Sequence, residues 1–169
     1  VVLITPTEII CANAGDSRTI LYSNKKVVSL STDHKPDNEE EKQRISKAGG
    51  FIIEGRVNGN LNLSRAIGDL EYKKNPSLKP SEQLISAYPE VVARKIQKDD
   101  HFLVMGCDGI WEIMTQEEIC QIVAKKCPPV LNEKSLVKSC EEILDKGLAP
   151  DTSQGIGCDN MSVIVISLV

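Results

Sequence analysis

The first thirty residues alternate short apolar stretches with turn residues, a pattern typical of antiparallel strand pairs. "VVLI" and "EIICANA" flank a Thr-Pro-Thr turn, and "RTILY" and "KKVVSL" flank Ser23-Asn24. Connections this short join only antiparallel neighbours. The chain is therefore predicted to open with two β-hairpins.

Later apolar patterns predict helices between further strands. "DNEEEKQRISKAGG" (37–50) predicts a helix capped by Asp37 or Asn38 and ended by Gly49-Gly50. A second helix starts at a capping box, Thr115 to Glu118, and is stopped by Pro128-Pro129. A third helix presents one apolar face, made of Leu136, Cys140, Ile143 and Leu144. The remaining strands are predicted at "FIIEGRV" (51–57), "EVVARKI" (90–96), "HFLVMGC" (101–107) and "SVIVISLV" (162–169). Antiparallel strands first and a helical pair late indicate an α+β fold.

Composition excludes several classes of function. The 169 residues are 41% hydrophobic and carry a net charge of −4, with no basic cluster, so a nucleic-acid or anionic-membrane surface is not expected. The apolar runs are too short to span a membrane. The six cysteines form no CxxC pair, which favours buried thiols in a reducing compartment. The expected location is the cytoplasm, with the nucleus as the alternative. Two histidines are too few for a His-rich zinc or copper site, so any metal would be a hard cation held by oxygen.

Three aspartates occupy similar positions at the ends of apolar strands. Asp16 follows "CANAG", Asp108 follows "LVMGC", and Asp159 precedes "NMSVIVISLV". Clustered carboxylates repel each other unless a cation neutralises them, and Mg²⁺ or Mn²⁺ takes carboxylate and water oxygens. The alternative is simple turn formation. After Asp108, Gly109 is expected to permit a tight turn and Trp111 to anchor the next segment in the core.

Six motifs in order resemble the protein phosphatase 2C family, the metal-dependent protein serine/threonine phosphatases. They are "ANAGDSR" (12–18), "DHKP" (33–36), "RISKAGG" (44–50), "RVNGNLNLSRAIGD" (56–69), "CDGIWEIM" (107–114) and "CDNMSVIVI" (158–166). The resemblance runs from Val1 to Val169. Within it, "SRAIGD" is expected to shape a loop through hydrogen bonds, with Gly68 needed for the backbone geometry.

The resemblance implies a four-layer αββα sandwich of two antiparallel sheets flanked by helices. Residues 1–169 correspond to the C-terminal portion of such a catalytic domain, so the sandwich is expected to be incomplete because the N-terminal part is missing. Residues 33–58 resemble the family's flap, a subdomain that influences substrate choice; a plain surface helix and hairpin is the alternative. A missing strand layer would favour self-association or swapping of the chain.

The resemblance also implies the chemistry of the site. Two Mg²⁺ or Mn²⁺ ions, with a third more weakly bound, activate a water that attacks phosphoserine or phosphothreonine in phosphoprotein substrates. Asp108 and Asp159 correspond to ligands of the first metal, and Asp16 to an aspartate linked to the third. Glu112 stands where the family usually has Asp, which leads to the hypothesis that the third site is altered. No phosphoenzyme is expected, so Cys107 is not a nucleophile.

Part of the family's site is absent from the 169 residues. The "DGHGG" motif, with its proposed general acid His, and an Arg-containing phosphate-binding stretch are expected upstream. His34 is interpreted as a packed or turn-capping residue. We therefore expect a phosphatase whose 169-residue piece is inactive alone. Two alternatives are a phosphatase-like pseudoenzyme that acts as a binding or scaffold module, and an unrelated metal-binding α+β domain.

Overall fold

The structure is a computed structural model that describes residues 1–126, 132–153, 155 and 157–168. The chain divides into two units. The first unit comprises Val1, Ala12–Asp16 and Thr32–Val92, and the second comprises Val2–Cys11, Ser17–Ser31 and Ala93–Val169. Each unit is described by itself below.

The strands form two larger antiparallel sheets and one small hairpin. They are β1 (Val2–Ile4), β2 (Glu8–Asn13), β3 (Arg18–Ser23), β4 (Lys26–Ser29), β5 (Ile52–Ile53), β6 (Arg56–Val57), β7 (Glu90–Lys95), β8 (Asp100–Gly106) and β9 (Val163–Ser167). The sheet orders are β1-β2-β7, β4-β3-β8-β9 and β5-β6. Both predicted opening hairpins are confirmed, because β1 pairs with β2 and β3 pairs with β4, each in antiparallel register.

The four α-helices of the described residues are α1 (Glu39–Lys47), α2 (Asp108–Trp111), α3 (Gln116–Lys125) and α4 (Glu133–Gly147). The predicted capping box of α3 is confirmed, since Glu118 N–H donates to Thr115 Oγ1 at 3.2 Å and Thr115 N–H donates to the Glu118 carboxylate at 2.9 Å. The predicted stop at Pro128-Pro129 lies outside the described residues. Among the described residues, no helix combines the length and the hydropathy needed to cross a membrane.

One face of the four-stranded sheet is buried by the other sheet. Leu21 of β3 and Leu103 of β8 pack with Ile9 and Cys11 of β2, and all four are almost fully buried. Because side chains alternate along a strand, the residues between them point to the opposite face.

That opposite face is buried by helices. Ile20 and Phe102 lie in one apolar cluster with Ile110 of α2, Ile119 of α3 and Ile143 of α4. Burial on both faces explains why the sequence of β8 is an almost unbroken apolar run. The second unit therefore shows three layers: strands β1 and β2, the four-stranded sheet, and the helices.

In the first unit, a buried carboxylate joins α1 to the "SRAIGD" loop. Glu41 of α1 accepts hydrogen bonds from Arg44 Nη1 (2.7 Å), Ser64 Oγ (2.6 Å) and Arg65 Nη2 (2.6 Å). The loop turns at Gly68, whose φ of +89° is a conformation that favours glycine. The expectation that hydrogen bonds shape this loop is thus confirmed.

Several local predictions need correction. Residues 51–57 form two strands, not one, because Glu54 and Gly55 both have positive φ and close a two-residue hairpin turn. Asn38 is the N-cap of α1, but its side chain donates to the Asp33 carbonyl at 2.6 Å and does not cap the helix.

One cysteine also differs from expectation. Cys158 is exposed, although Cys11 and Cys120 are buried as predicted; Cys127 lies outside the described residues. Gly109 lies in a tight turn, as predicted; the Ile110 N–H donates to the Cys107 carbonyl at 3.1 Å, and the turn leads into the short helix α2. The assignment of residues 33–58 to a flap stays a prediction, although α1 and the β5-β6 hairpin lie in that range.

Candidate metal centre

Three carboxylates converge in the second unit. Asp108, Glu112 and Asp159 each offer an oxygen, and these oxygens all lie within 4.8 Å of one another. Asp108 is partly buried, while Glu112 and Asp159 are exposed. Within the described residues this is the one group of three or more His, Cys, Asp or Glu side chains so placed.

Helix α2 positions two of the three. Asp108 is its first residue, and Glu112 follows one turn later, where its N–H donates to the Asp108 carbonyl at 3.0 Å. Side chains four residues apart lie on the same helical face, and like charges there repel. One oxygen of Asp108 is also held by the Gly109 N–H at 2.9 Å.

The third carboxylate arrives from the segment before β9. Strands β8 and β9 are antiparallel neighbours with Gly106 opposite Val163, so the end of β8 lies beside the start of β9. The pairing continues past the strands, because Cys107 N–H donates to the Ser162 carbonyl and Ser162 N–H donates to Cys107 Sγ, both at 3.2 Å. Asp159 is thereby brought next to α2.

Trp111 fixes α2 against the sheet, as predicted. Its Nε1–H donates to the Gly106 carbonyl at 2.8 Å, and its ring packs on the apolar cluster of the helices. The Arg18 guanidinium lies 5.4 Å from the ring centroid, within the range of a cation–π contact.

Asp16 lies in the first unit, where its carboxylate forms an ion pair with the Lys35 ammonium. It is only 7% exposed. The pairing with Lys35 was not foreseen from the sequence, although Lys35 belongs to the "DHKP" motif.

His34 of the same motif is buried and packed, as interpreted from the sequence. Its Nδ1 accepts the Gly15 N–H at 3.2 Å, and its Nε2 lies 3.9 Å from a Glu90 carboxylate oxygen. Burial first, and then the positive charge of Arg65, lower the pKa of His34 below its ordinary 6.5. The imidazole therefore acts as a neutral acceptor that holds the Gly15 backbone next to Asp16.

Sequence reasoning missed the role of Glu41. Burial raises the pKa of this carboxyl, but hydrogen bonds from Arg65, Ser64 and Arg44 outweigh that effect and lower the pKa from 4.5 to about 2. The available signal was the i,i+3 spacing of Glu41 and Arg44. That spacing does not distinguish a buried pair from an exposed one.

Comparison with known proteins decides the family. The sequence model of the family described as "Protein phosphatase 2C" matches residues 1–156. The chain belongs to the protein phosphatase 2C family. The predicted resemblance is thus confirmed.

Relatives within the protein phosphatase 2C family are similar over nearly the whole chain. "Probable protein phosphatase 2C 3" of Paramecium tetraurelia is 52% identical over 99% of this chain and 56% of that protein. "Probable protein phosphatase 2C 60" of Arabidopsis thaliana is 47% identical over 98% of this chain and 46% of that protein. A crystal structure of a phosphatase from Toxoplasma gondii superimposes with a TM-score of 0.77, at 32% identity, over 94% of this chain and 47% of that one.

The chain spans about half the length of these relatives. The fold prediction is confirmed in this form: an α+β arrangement of antiparallel sheets with helices, corresponding to part of a phosphatase 2C domain. The three layers of the second unit agree with such a partial domain.

The donor set of the cluster suits the cations expected for the family. Asp108, Glu112 and Asp159 offer only carboxylate oxygens, the hard ligands that Mg²⁺ and Mn²⁺ prefer. Their partial exposure leaves room for water, which Mg²⁺ tends to retain in protein sites. The residues present therefore fit a hard divalent cation.

Proposed function

We propose that this chain is part of a metal-dependent protein serine/threonine phosphatase. The observation that carries the proposal is the convergence of Asp108, Glu112 and Asp159 within 4.8 Å in a chain of the phosphatase 2C family. An acidic cluster alone is common on protein surfaces. Its position at the paired ends of β8 and β9, in this family, favours a ligand role.

Asp108 and Asp159 are the proposed ligands of a Mg²⁺ or Mn²⁺ ion, with Glu112 as an additional carboxylate. When bound, such ions lower the pKa of a coordinated water and stabilise the charge of the phosphoryl group. The chain's own contribution is to hold the carboxylates in place through α2 and the β8-β9 pairing. Asp16 is the proposed ligand of a further, weaker ion, and its ion pair with Lys35 keeps the buried carboxylate neutralised when that ion is absent.

The proposed reaction transfers the phosphoryl group of a phosphoserine or phosphothreonine directly to water. Cys107 takes no part as a nucleophile, because its thiol already has a structural role. The Cys107 Sγ donates to the Asn160 carbonyl at 3.4 Å and accepts the Ser162 N–H at 3.2 Å. Both contacts hold together the segments that carry Asp108 and Asp159.

The 169 residues alone are proposed to be inactive. The family's "DGHGG" motif and its phosphate-binding Arg stretch do not occur in this sequence. The general acid and part of the metal site would then come from elsewhere in the protein.

The cytoplasmic or nuclear location and the self-association expected from the sequence also stay predictions. A monomer by light scattering would contradict self-association.

Metal binding is the direct test of the proposed site. Mn²⁺ is titrated into the longer protein that contains these residues while the electron paramagnetic resonance signal of unbound Mn²⁺ is recorded. Asp108→Asn is expected to lower the affinity about tenfold or more, while Asp145→Asn, an exposed aspartate of α4, serves as the matched control. Equal affinity in Asp108→Asn and Asp145→Asn would refute the assignment.

The pseudoenzyme alternative is separated by an activity assay. The longer protein that contains these residues is assayed on a phosphothreonine peptide with Mn²⁺, with and without Asp108→Asn. Hydrolysis that depends on Asp108 supports the phosphatase, whereas Mn²⁺ binding without hydrolysis supports the scaffold.

A further inference from the structure

The two halves of the carboxylate cluster lie on separate segments that hydrogen bonds of Cys107 with Asn160 and Ser162 hold together. Asp108 and Glu112 belong to α2, and Asp159 belongs to the segment before β9. The backbone pairing nearest to them, from Cys107 to Ser162, is one residue from Asp108 and three residues from Asp159. The distance between Asp108 and Asp159 therefore depends on how closely α2 approaches that segment.

Gly109 lies close against that segment. A Cβ atom at this position would lie 3.0 Å from the Asn160 carbonyl oxygen, 3.2 Å from Asp159 Cβ and 3.3 Å from Met161 Cγ. These contacts involve three consecutive residues of the segment, and the nearest is to backbone, so rotation of one side chain does not relieve them. Since the φ of Gly109 is not positive, glycine is needed here for space and not for backbone conformation.

The displacement that a Cβ at position 109 would cause is similar to the difference between Mg²⁺–oxygen and Ca²⁺–oxygen distances. Contacts between 3.0 and 3.4 Å require the neighbour to give way by a few tenths of an ångström. Oxygen ligands lie at roughly 2.0–2.1 Å from Mg²⁺ and roughly 2.3–2.6 Å from Ca²⁺. A methyl group at position 109 would thus move Asp159 by an amount comparable to the step from the smaller ion to the larger.

We infer that Gly109 is a positioning residue that sets the cation selectivity of the site. It keeps Asp159 close enough to Asp108 and Glu112 to favour Mg²⁺ over Ca²⁺. This inference rests on the proposed metal site, and it adds the residue that sets the spacing of the ligands.

The test compares Gly109→Ala with Gly147→Ala in the longer protein that contains these residues. Mn²⁺ binding is followed by paramagnetic resonance, and Mg²⁺ and Ca²⁺ affinities are obtained by competition. Gly147→Ala is the matched control, because a Cβ there meets the Met161 Sδ and Cε atoms, the flexible end of a side chain of the same segment. Far-UV circular dichroism checks that each variant is folded.

Gly109→Ala is expected to lower the ratio of Mg²⁺ to Ca²⁺ affinity about tenfold, while Gly147→Ala leaves the ratio unchanged. A ratio unchanged in Gly109→Ala, or changed equally in both variants, would overturn the inference. If Gly109→Ala does not fold, Gly109→Ala combined with Met161→Ala, which removes one of the three contacts, is measured in its place; a ratio equal to that of Met161→Ala alone would refute the inference. Absence of any Mn²⁺ binding in the wild type would instead refute the proposed site.

Discussion

Replacing Glu41 with Gln should lower the free energy of unfolding of the first unit. The loss should be largest above pH 4.5 and should shrink as the pH falls towards 2. Glu41 is 2% exposed, and its carboxylate accepts hydrogen bonds from Arg44, Ser64 and Arg65. Glutamine has the same size but carries no charge, and its NH₂ group cannot accept from the guanidinium groups. Two arginine side chains would lose their buried counter-charge.

The pKa of Glu41 provides the magnitude. A carboxyl whose pKa falls from 4.5 in the unfolded chain to about 2 in the folded protein contributes about 3 kcal/mol to the free energy of unfolding. Because the folded pKa is the lower one, this stabilisation is fully present above pH 4.5. It is lost as the pH falls from 4.5 towards 2.

Hydrogen exchange followed by mass spectrometry is the appropriate assay, because it reports on the peptides of α1 and of residues 64–66 directly. At pH 7, Glu41→Gln should raise exchange in both peptides. Glu40→Gln is the matched control, because Glu40 is an exposed glutamate in the same first turn and has the same interaction with the helix dipole.

Equal exchange in the Glu41→Gln and Glu40→Gln variants would refute the reasoning. A Glu41→Gln effect that persists unchanged from pH 7 to pH 3 would also refute it, since the wild-type carboxylate is then not the source of the stabilisation.

Three further predictions concern the second unit. Glu112→Asp retracts a carboxylate by one methylene and should change the Mn²⁺ binding isotherm; an unchanged isotherm would count against a ligand role for this residue. Burial raises the pKa of the Cys120 thiol to about 12. Iodoacetamide at pH 8 should therefore label exposed Cys158 and leave Cys120 unlabelled, as measured by peptide mapping. Early labelling of Cys120 would contradict this. Trp111→Phe keeps an aromatic ring but leaves the Gly106 carbonyl without its donor, which should cost about 1–2 kcal/mol in urea unfolding followed by circular dichroism; wild-type stability would show that this hydrogen bond is dispensable.

Elements set by local pattern could be predicted from the sequence. The opening hairpins follow from connections too short for any other pairing, and the start of α3 follows from the Thr115 and Glu118 capping box. Strand β8 was recognised from its apolar run, and Asp108 from its place at the end of that run. In each case the determining interactions lie within a few residues along the chain.

Contacts between distant segments could not be predicted in this way. In the sequence, Glu41 looks like one more exposed glutamate at the start of α1. It is buried because the loop that carries Ser64 and Arg65 packs against it. Likewise, "DG" after a strand indicates a turn, and only the approach of Asp159 shows that Gly109 is needed for space.

The sequence by itself determined the family, the strands and the aspartates at their ends, because ordered motifs and hydrophobic periodicity are properties of the linear chain. The tertiary structure alone decided which charges meet. It placed Lys35 against Asp16, and Asp159 against Asp108. The physical reason is that electrostatic energy and steric contact depend on distances in space, which the β8-β9 register and the packing of α2 set between residues about fifty positions apart.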